Sequence, residues 1–170
     1  MTTKTKFMYP TKKYLNTKGV NKGKMQEWYD LGINAPTTIQ HAKLLAEAVG
    51  YSPNQANVVA GQWALESGRG KHVGGDYNYF GIKSHSKAVR DRLTSQYGLN
   101  VSANTPKATS EQDKSGKKRN IKSSFLNFEN PIEAFFGHKA FLETNNRYKD
   151  ALKEETSFGF ASAIKDAGYA

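Results

Sequence analysis

From Ser52 to Gly70 the chain has the least freedom to be anything but a helix. Ser52 is a good N-cap, and Pro53 suits the first helical position, where its missing N–H costs nothing. Ala56, Val59, Ala60, Trp63 and Ala64 then recur at helical spacing and give one apolar face. Gly68 and Gly70 end the run. A helix with one apolar stripe must bury it against something, and the same grammar recurs along the chain. Pro36, Thr37 and Thr38 precede Ile39, Ala42, Leu45, Ala46 and Val49, with Gly50 as the stop. Asn130 and Pro131 open a third helix, with Ile132, Phe135, Phe136 and Leu142 facing inward and Glu133 placed to return a capping bond. A short helix is expected around Tyr148, Ala151 and Leu152. The last starts near Ser157, buries Phe160, Ala161 and Ile164, and meets Gly168.

Between the second and third of these helices the texture changes. Residues 71–128 are rich in Gly, Ser, Asn, Lys and Tyr, with weak helical periodicity. Lys107–Gln112 and Lys117–Lys122 flank Asp113-Lys114-Ser115-Gly116, which reads as a β-hairpin. Ser124–Phe128 is expected to form a further strand. The 170 residues suffice for one domain with a core, and 37% hydrophobic content marks it as globular. The expected fold is therefore α+β and mainly α: two lobes, one helical and one small and β-rich, with room for a cleft between them.

Charge is unevenly spread. The formal net charge is +10, and Lys4, Lys6, Lys12, Lys13, Lys18, Lys22 and Lys24 precede the first acid, Glu27. Without those lysines the balance is +3, so the body is only mildly basic. Residues 1–30 are expected to form a basic, extended arm suited to an acidic partner, and the folded body is expected over 31–170. No apolar stretch follows the basic start, so no export signal is expected; no apolar run is long enough to span a membrane. The chain has no cysteine, which removes disulfides, zinc–thiolate sites and thiol nucleophiles. His41, His72, His85 and His138 lack paired ligand spacing and are expected at the surface or core edge, and no metal or cofactor is expected. Lys117, Lys118, Arg119 and Lys122 read as a solvated hairpin edge or a substrate contact.

The chemistry is expected where the second helix ends. Glu66 sits in its last turn, just ahead of Gly68 and Gly70. The partial negative charge of a helix C-terminus, and burial beside aromatic residues, both raise a carboxyl pKa. A carboxyl kept protonated near neutrality is what a general acid needs to protonate a glycosidic oxygen. The bland alternative is a solvent-facing glutamate at a frayed end. The stretch from Gly74 to Lys83 is glycine-bracketed and aromatic, fit either to stack on sugar rings or to cover a core edge.

Together these segments resemble glycoside hydrolase family 73, N-acetylglucosaminidases that cut bacterial peptidoglycan. The carriers are Ala64-Leu65-Glu66-Ser67-Gly68-Arg69-Gly70 and Asn78-Tyr79-Phe80-Gly81-Ile82-Lys83. Thr109-Ser110-Glu111 with Gly116-Lys117-Lys118 looks like the family's β-lobe hairpin. Ser124–Phe128 looks like its lead into the third helix. Asn146-Arg147-Tyr148 falls where the family has Asn-x-Arg-Tyr, and Ala167-Gly168-Tyr169-Ala170 is similar to its Ala-Gly-Tyr-Ala. The resemblance covers roughly residues 37–170. It implies a lysozyme-like two-lobed fold, with a catalytic domain over 31–170 and its β-rich lobe within about 71–128.

By the same resemblance Glu66 is the general acid, and Glu111 is the second carboxylate, with Asp76, Asp113 and Glu129 as rivals. Tyr169 is implied to hold or polarise the substrate's acetamide, although it falls next to the last residue, where fraying is expected. Asn78, Tyr79, Phe80 and Gly81 are implied to line the sugar site. The activity implied is hydrolysis of the bond between N-acetylglucosamine and N-acetylmuramic acid. A muramidase cutting the other glycan bond and a non-catalytic wall-binding or virion module are the alternatives. The expected partner is bacterial peptidoglycan, with other phage tail proteins as possible partners of the arm; nucleic acid fits the arm's charge but is not expected. The expected location is the host cytoplasm before lysis, or the virion tail.

Overall fold

In the computed structural model the described residues are 12–74, 76–103, 107–112, 115–116 and 118–169; the side chains of 103, 107–112 and 118–123 are not among them. Six α-helices and two small antiparallel ladders follow in the order α1 (Lys22–Leu31), α2 (Ile39–Ala48), α3 (Pro53–Ser67), α4 (Lys87–Tyr97), β1 (Ser102–Ala103), β2 (Lys107–Gln112), β3 (Lys118–Ser123), β4 (Leu126–Asn127), α5 (Pro131–Thr144) and α6 (Ser157–Asp166). Short 3-10 turns cover Lys13–Asn16, Asn146–Tyr148 and Ala151–Lys153. The last two replace the single short helix expected there. The mainly helical α+β fold agrees with the expectation.

α5 is the axis of the body. Ile132, Ala134, Phe135, Phe136, Ala140 and Leu142 are all fully buried and lie on more than one face, so the helix is covered all round. Phe135 and Phe136 each stabilise the fold by about 1.5–3 kcal/mol through burial. Gly137 is required by packing: a Cβ there would stand 2.6 Å from the Phe128 ring. α2 lies against α1, α3 and α5, and α3 also packs on α6. The caps are those the sequence announces. Ser52 and Gln55 form a reciprocal capping box on α3, and Thr38 caps α2. Glu133 does return a bond, but from the Glu129 N–H (3.2 Å), one residue ahead of the cap.

Two regions differ from expectation. The extended arm does not reach residue 30. From Lys13 the chain is structured, and Asn21 caps α1, which buries Met25, Trp28 and Tyr29. Tyr14, 2% exposed, donates to Glu133 Oε2 (2.6 Å) and accepts from Asn130 Nδ2 (3.0 Å), tying the start of the chain to the start of α5. The lysines hide this because they occupy the solvent side of a segment whose buried residues are sparse. Residues 1–11 lie outside those described. Second, the interval 71–128 holds a helix, α4, capped by Ser86 and ended at Gly98. Its apolar face is only Val89, Leu93 and Tyr97, one residue per turn, which is why periodicity alone is weak. The Tyr97 hydroxyl and Arg92 Nε both donate to Glu143 Oε1, at 2.5 and 3.2 Å, fastening α4 to α5.

The hairpin is present over Lys107–Gln112 and Lys118–Ser123, its second strand one residue later than read, with Glu111 paired to Arg119. β4 supplies the expected strand at 124–128 in shortened form and pairs with β1.

Candidate active site

α3 ends in a way that fixes its last carboxylate. Ser67, fully buried, donates to the Trp63 carbonyl (2.5 Å) and accepts from the Gly70 N–H (2.8 Å). Gly68 adopts φ +58°, a left-handed conformation that glycine enters at little cost, and the chain turns away. Glu66, one residue before the end of the helix, is thereby left projecting from a rigid terminus.

It projects into a cleft of about 340 Å³ assembled from five stretches of chain. α3 gives Glu66; residues 80–86 between α3 and α4 give Phe80, Gly81, Ile82, Lys83, His85 and Ser86; α5 gives His138 and Phe141. The turn after α5 gives Arg147 and Tyr148, and the turn after α6 gives Gly168 and Tyr169. Glu66 remains open to solvent, as a group that must meet a ligand has to be, while the cleft walls strip water from its carboxyl. That desolvation raises its pKa from 4.5 to about 7, against the opposing effect of a hydrogen bond from Tyr169. The Tyr169 hydroxyl donates to Glu66 Oε2 at 3.1 Å. Burial is therefore the dominant cause of the raised pKa.

Tyr169 is tied into the fold at several points. Its N–H bonds to the Ile164 carbonyl (2.9 Å), and its ring packs on His138, Phe141 and Tyr148 at centroid distances of 6.0, 6.1 and 6.0 Å. Burial and the neighbouring Glu66 hold its hydroxyl well above the ordinary tyrosine range, so it is a donor at neutral pH.

The run Asn78–Gly81 divides. Phe80 and Gly81 line the cleft. Asn78 does not: it is 1% exposed, its Nδ2 donates to the carbonyls of Ile82 (2.8 Å) and Leu126 (2.9 Å), and its Oδ1 accepts from the Ile82 N–H. Tyr79 is also turned inward, packed against Trp63, Phe80 and Phe135. Both side chains hold the loop that carries the wall, and neither is among the residues that line the cleft. Glu111 lies on β2, and its side chain is outside the described residues. Of its rivals, Asp113 lies outside them too. Asp76 anchors its backbone N–H on Asn127 Oδ1 (2.9 Å), and Glu129 gives its own N–H to Glu133. Neither lines the cleft.

His138 is the contributor that spacing missed. It is 1% exposed, deeper than the surface or core edge expected, and its ring packs on Phe80 at a centroid distance of 4.5 Å and a tilt of 58°. Nε2 faces Gln62 Oε1 at 2.7 Å, so that nitrogen carries the proton, and Nδ1 accepts from the Tyr51 hydroxyl at 2.7 Å. Burial pulls its pKa down to about 3, so the ring is neutral. The only advance sign was its place in α5 directly after the apolar run Ala134-Phe135-Phe136-Gly137. Among the described residues no group of three or more His, Asp or Glu could hold a metal ion, and no helix is long and apolar enough to cross a membrane.

Comparisons with known proteins converge on this cleft-bearing region. A family model described as glucosaminidase, mannosyl-glycoprotein endo-beta-N-acetylglucosaminidase, matches residues 39–170. The peptidoglycan hydrolase FlgJ of Vibrio parahaemolyticus is 30% identical over 136 residues, 76% of this chain and 39% of that protein. FlgJ of Pseudomonas aeruginosa is 30% identical over 144 residues, 79% of this chain and 31% of the relative. The chain thus spans about a third of the length of these relatives. In fold it is similar to a peptidoglycan hydrolase mutant from Sphingomonas sp. A1, with a TM-score of 0.56, 23% identity, and coverage of 85% of this chain and 83% of that one. With its helical frame, and with the match running unbroken from the start of α2 past Tyr169, the chain belongs to the glucosaminidase family of glycoside hydrolases.

Proposed function

We propose that this chain is a peptidoglycan hydrolase that cleaves the bond between N-acetylglucosamine and N-acetylmuramic acid, with Glu66 as general acid. The observation that carries the reading is the environment of that one carboxyl. It is accessible from the cleft, shifted to about 7 by desolvation, and held by the Tyr169 hydroxyl 3.1 Å away. About half of such groups carry their proton at pH 7, which suits proton donation to a leaving oxygen.

In the step this supports, Glu66 gives its proton to the glycosidic oxygen as the C1–O bond breaks. Positive charge develops at C1 and the ring oxygen, the departing sugar leaves as an alcohol, and a water oxygen bonds to C1 and gives its proton to a base, so that one water is consumed per bond cut. Glu66 becomes a carboxylate, and the hydrogen bond from Tyr169 is stronger to that anion than to the acid. Tyr169 would also be within reach of a substrate acetamide that displaces Glu66 as its acceptor. Phe80 supplies an aromatic wall, and His138 beneath it is a neutral support. Glu111, on the hairpin, is the proposed second carboxylate. Stereochemistry of the released anomer reads its distance from Glu66: inversion for a pair about 6.5–9.5 Å apart, retention for one near 5 Å.

Digestion of purified bacterial wall, with mass spectrometry of the fragments, tests the assignment. N-acetylglucosamine at the new reducing ends supports it. N-acetylmuramic acid there identifies a muramidase, and absence of cleavage leaves a wall-binding module. Glu66→Gln should slow release by about 10²–10⁴-fold.

Two finer proposals are a phage-borne enzyme and a tail partner for the lysine-rich start, the second supported by that segment's charge. Because residues 13–31 are built into the core, the clean test exchanges the exposed Lys12, Lys13, Lys18 and Lys22 for glutamine and leaves the fold in place. Wall association should weaken while turnover of soluble fragments persists; loss of that turnover would overturn the assignment.

A further inference from the structure

The cleft contains one acid among its described lining residues, Glu66, and two side chains cationic at neutral pH, Lys83 and Arg147. Arg147 is the one whose posture is fixed. Its guanidinium carbon lies 4.9 Å from the centroid of the Tyr148 ring. It also approaches Gly168 so closely that a Cβ there would stand 3.1 Å from Nη1. A flat cation resting on an aromatic face keeps N–H donors at its edge for a ligand. Arg147 is exposed and forms no ion pair with Glu66 or any other carboxylate among the described residues. A guanidinium oriented this way fits a carboxylate through paired N–H donors.

We propose that Arg147 is a specificity residue that binds a carboxylate borne by the glycan, so that the enzyme selects acidic wall strands over neutral chains of the same sugars. This rests on the peptidoglycan reading above and deepens it. The carboxylate it reads is one the glycan carries on a lactyl or peptide substituent, leaving Glu66 free for the scissile oxygen. Discrimination then enters through binding rather than through bond breaking. Tyr148 and Gly168 have the role of positioning residues for the guanidinium. Arginine matters more than charge here, because an ammonium has neither the plane that stacks nor the paired donors.

The test uses soluble wall glycan fragments with free carboxylates, and the same fragments after amidation. For the unaltered chain KM should be roughly 10- to 100-fold higher on the amidated fragments, with kcat similar. Arg147→Gln should raise KM by the same factor on the acidic fragments only, bringing the two substrates level, and Arg147→Lys should fall between. Calorimetric titration of the Glu66→Gln chain with both fragments reads the preference without turnover, so failure of the hydrolase reading and failure of this one are separable. If Arg147→Gln weakens both fragments by equal factors, or if the unaltered chain does not distinguish them in titration, the assignment to Arg147 is wrong. If neither fragment is cut but the titration keeps its Arg147-dependent preference, the hydrolase reading falls and the carboxylate site stands.

Discussion

Two glutamates at opposite kinds of helix end show what makes a carboxyl a reagent. Glu133 lies in the first turn of α5 and Glu66 in the last turn of α3. Burial raises the pKa of both. Glu133, 2% exposed, has both oxygens engaged, by the Tyr14 hydroxyl and the Glu129 N–H, and its own N–H is capped by Asn130. It is a structural rivet joining the beginning of the chain to the central helix. Glu66 has one side-chain partner, Tyr169, and an open approach from the cleft. A raised pKa alone therefore does not mark an acid catalyst; access and unused bonding capacity do.

The strongest way to break this contrast is to exchange each carboxyl for an amide. Glu66→Gln should lower the rate of wall cleavage by about 10²–10⁴-fold, measured as reducing-end release. Glu133→Gln should leave the rate per folded molecule within about twofold, and equal losses in the two variants would show the contrast to be false. Glu133→Ala tests the rivet itself. It strands the Tyr14 hydroxyl and should cost about 1–3 kcal/mol in denaturant unfolding, with activity retained by the folded fraction.

Acidity gives a finer edge. Activity that needs protonated Glu66 should fall tenfold per pH unit above about 7. Stability should respond in the corresponding sense. Below about pH 4.5 the group is protonated in both folded and unfolded chains and contributes nothing. Between 4.5 and 7 the unfolded chain releases a proton that the folded chain retains, so stability falls as pH rises. Glu66→Gln should therefore melt higher than the unaltered chain above pH 7 and match it below pH 4.5 in thermal scans. The smallest effect is expected from Tyr169→Phe. Its hydroxyl lowers the Glu66 pKa, so its removal should move the alkaline limb of the rate profile to higher pH. An unmoved limb would detach Tyr169 from Glu66.

The parts legible in advance were those whose signals are local. Ser52, Pro53 and Gly68 mark the ends of α3 because capping depends on neighbours three or four residues away. The hairpin was readable for the same reason. α4 was missed because its polar surface outweighs Val89, Leu93 and Tyr97, although Ser86 and Gly98 announce its ends. Asn78 looked like a ligand contact, yet its bonds to Ile82 and Leu126 make it a clamp. The direction a side chain points depends on partners that a short window does not contain. Tyr14 is the extreme case: its partner Glu133 is 119 residues away.

By itself the sequence determined that a glutamate would stand at the end of a rigid helix beside two glycines, in a mainly helical domain. Its order of motifs was enough to place it within a family. Tertiary structure decided what that glutamate is. The walls that desolvate Glu66 come from chain segments after α3, and the hydroxyl that holds it comes from Tyr169, 103 residues away. A helix terminus is specified by torsion angles and nearby hydrogen bonds. A proton affinity is set by the sum of water removed and dipoles brought near, and those arrive only when distant segments meet.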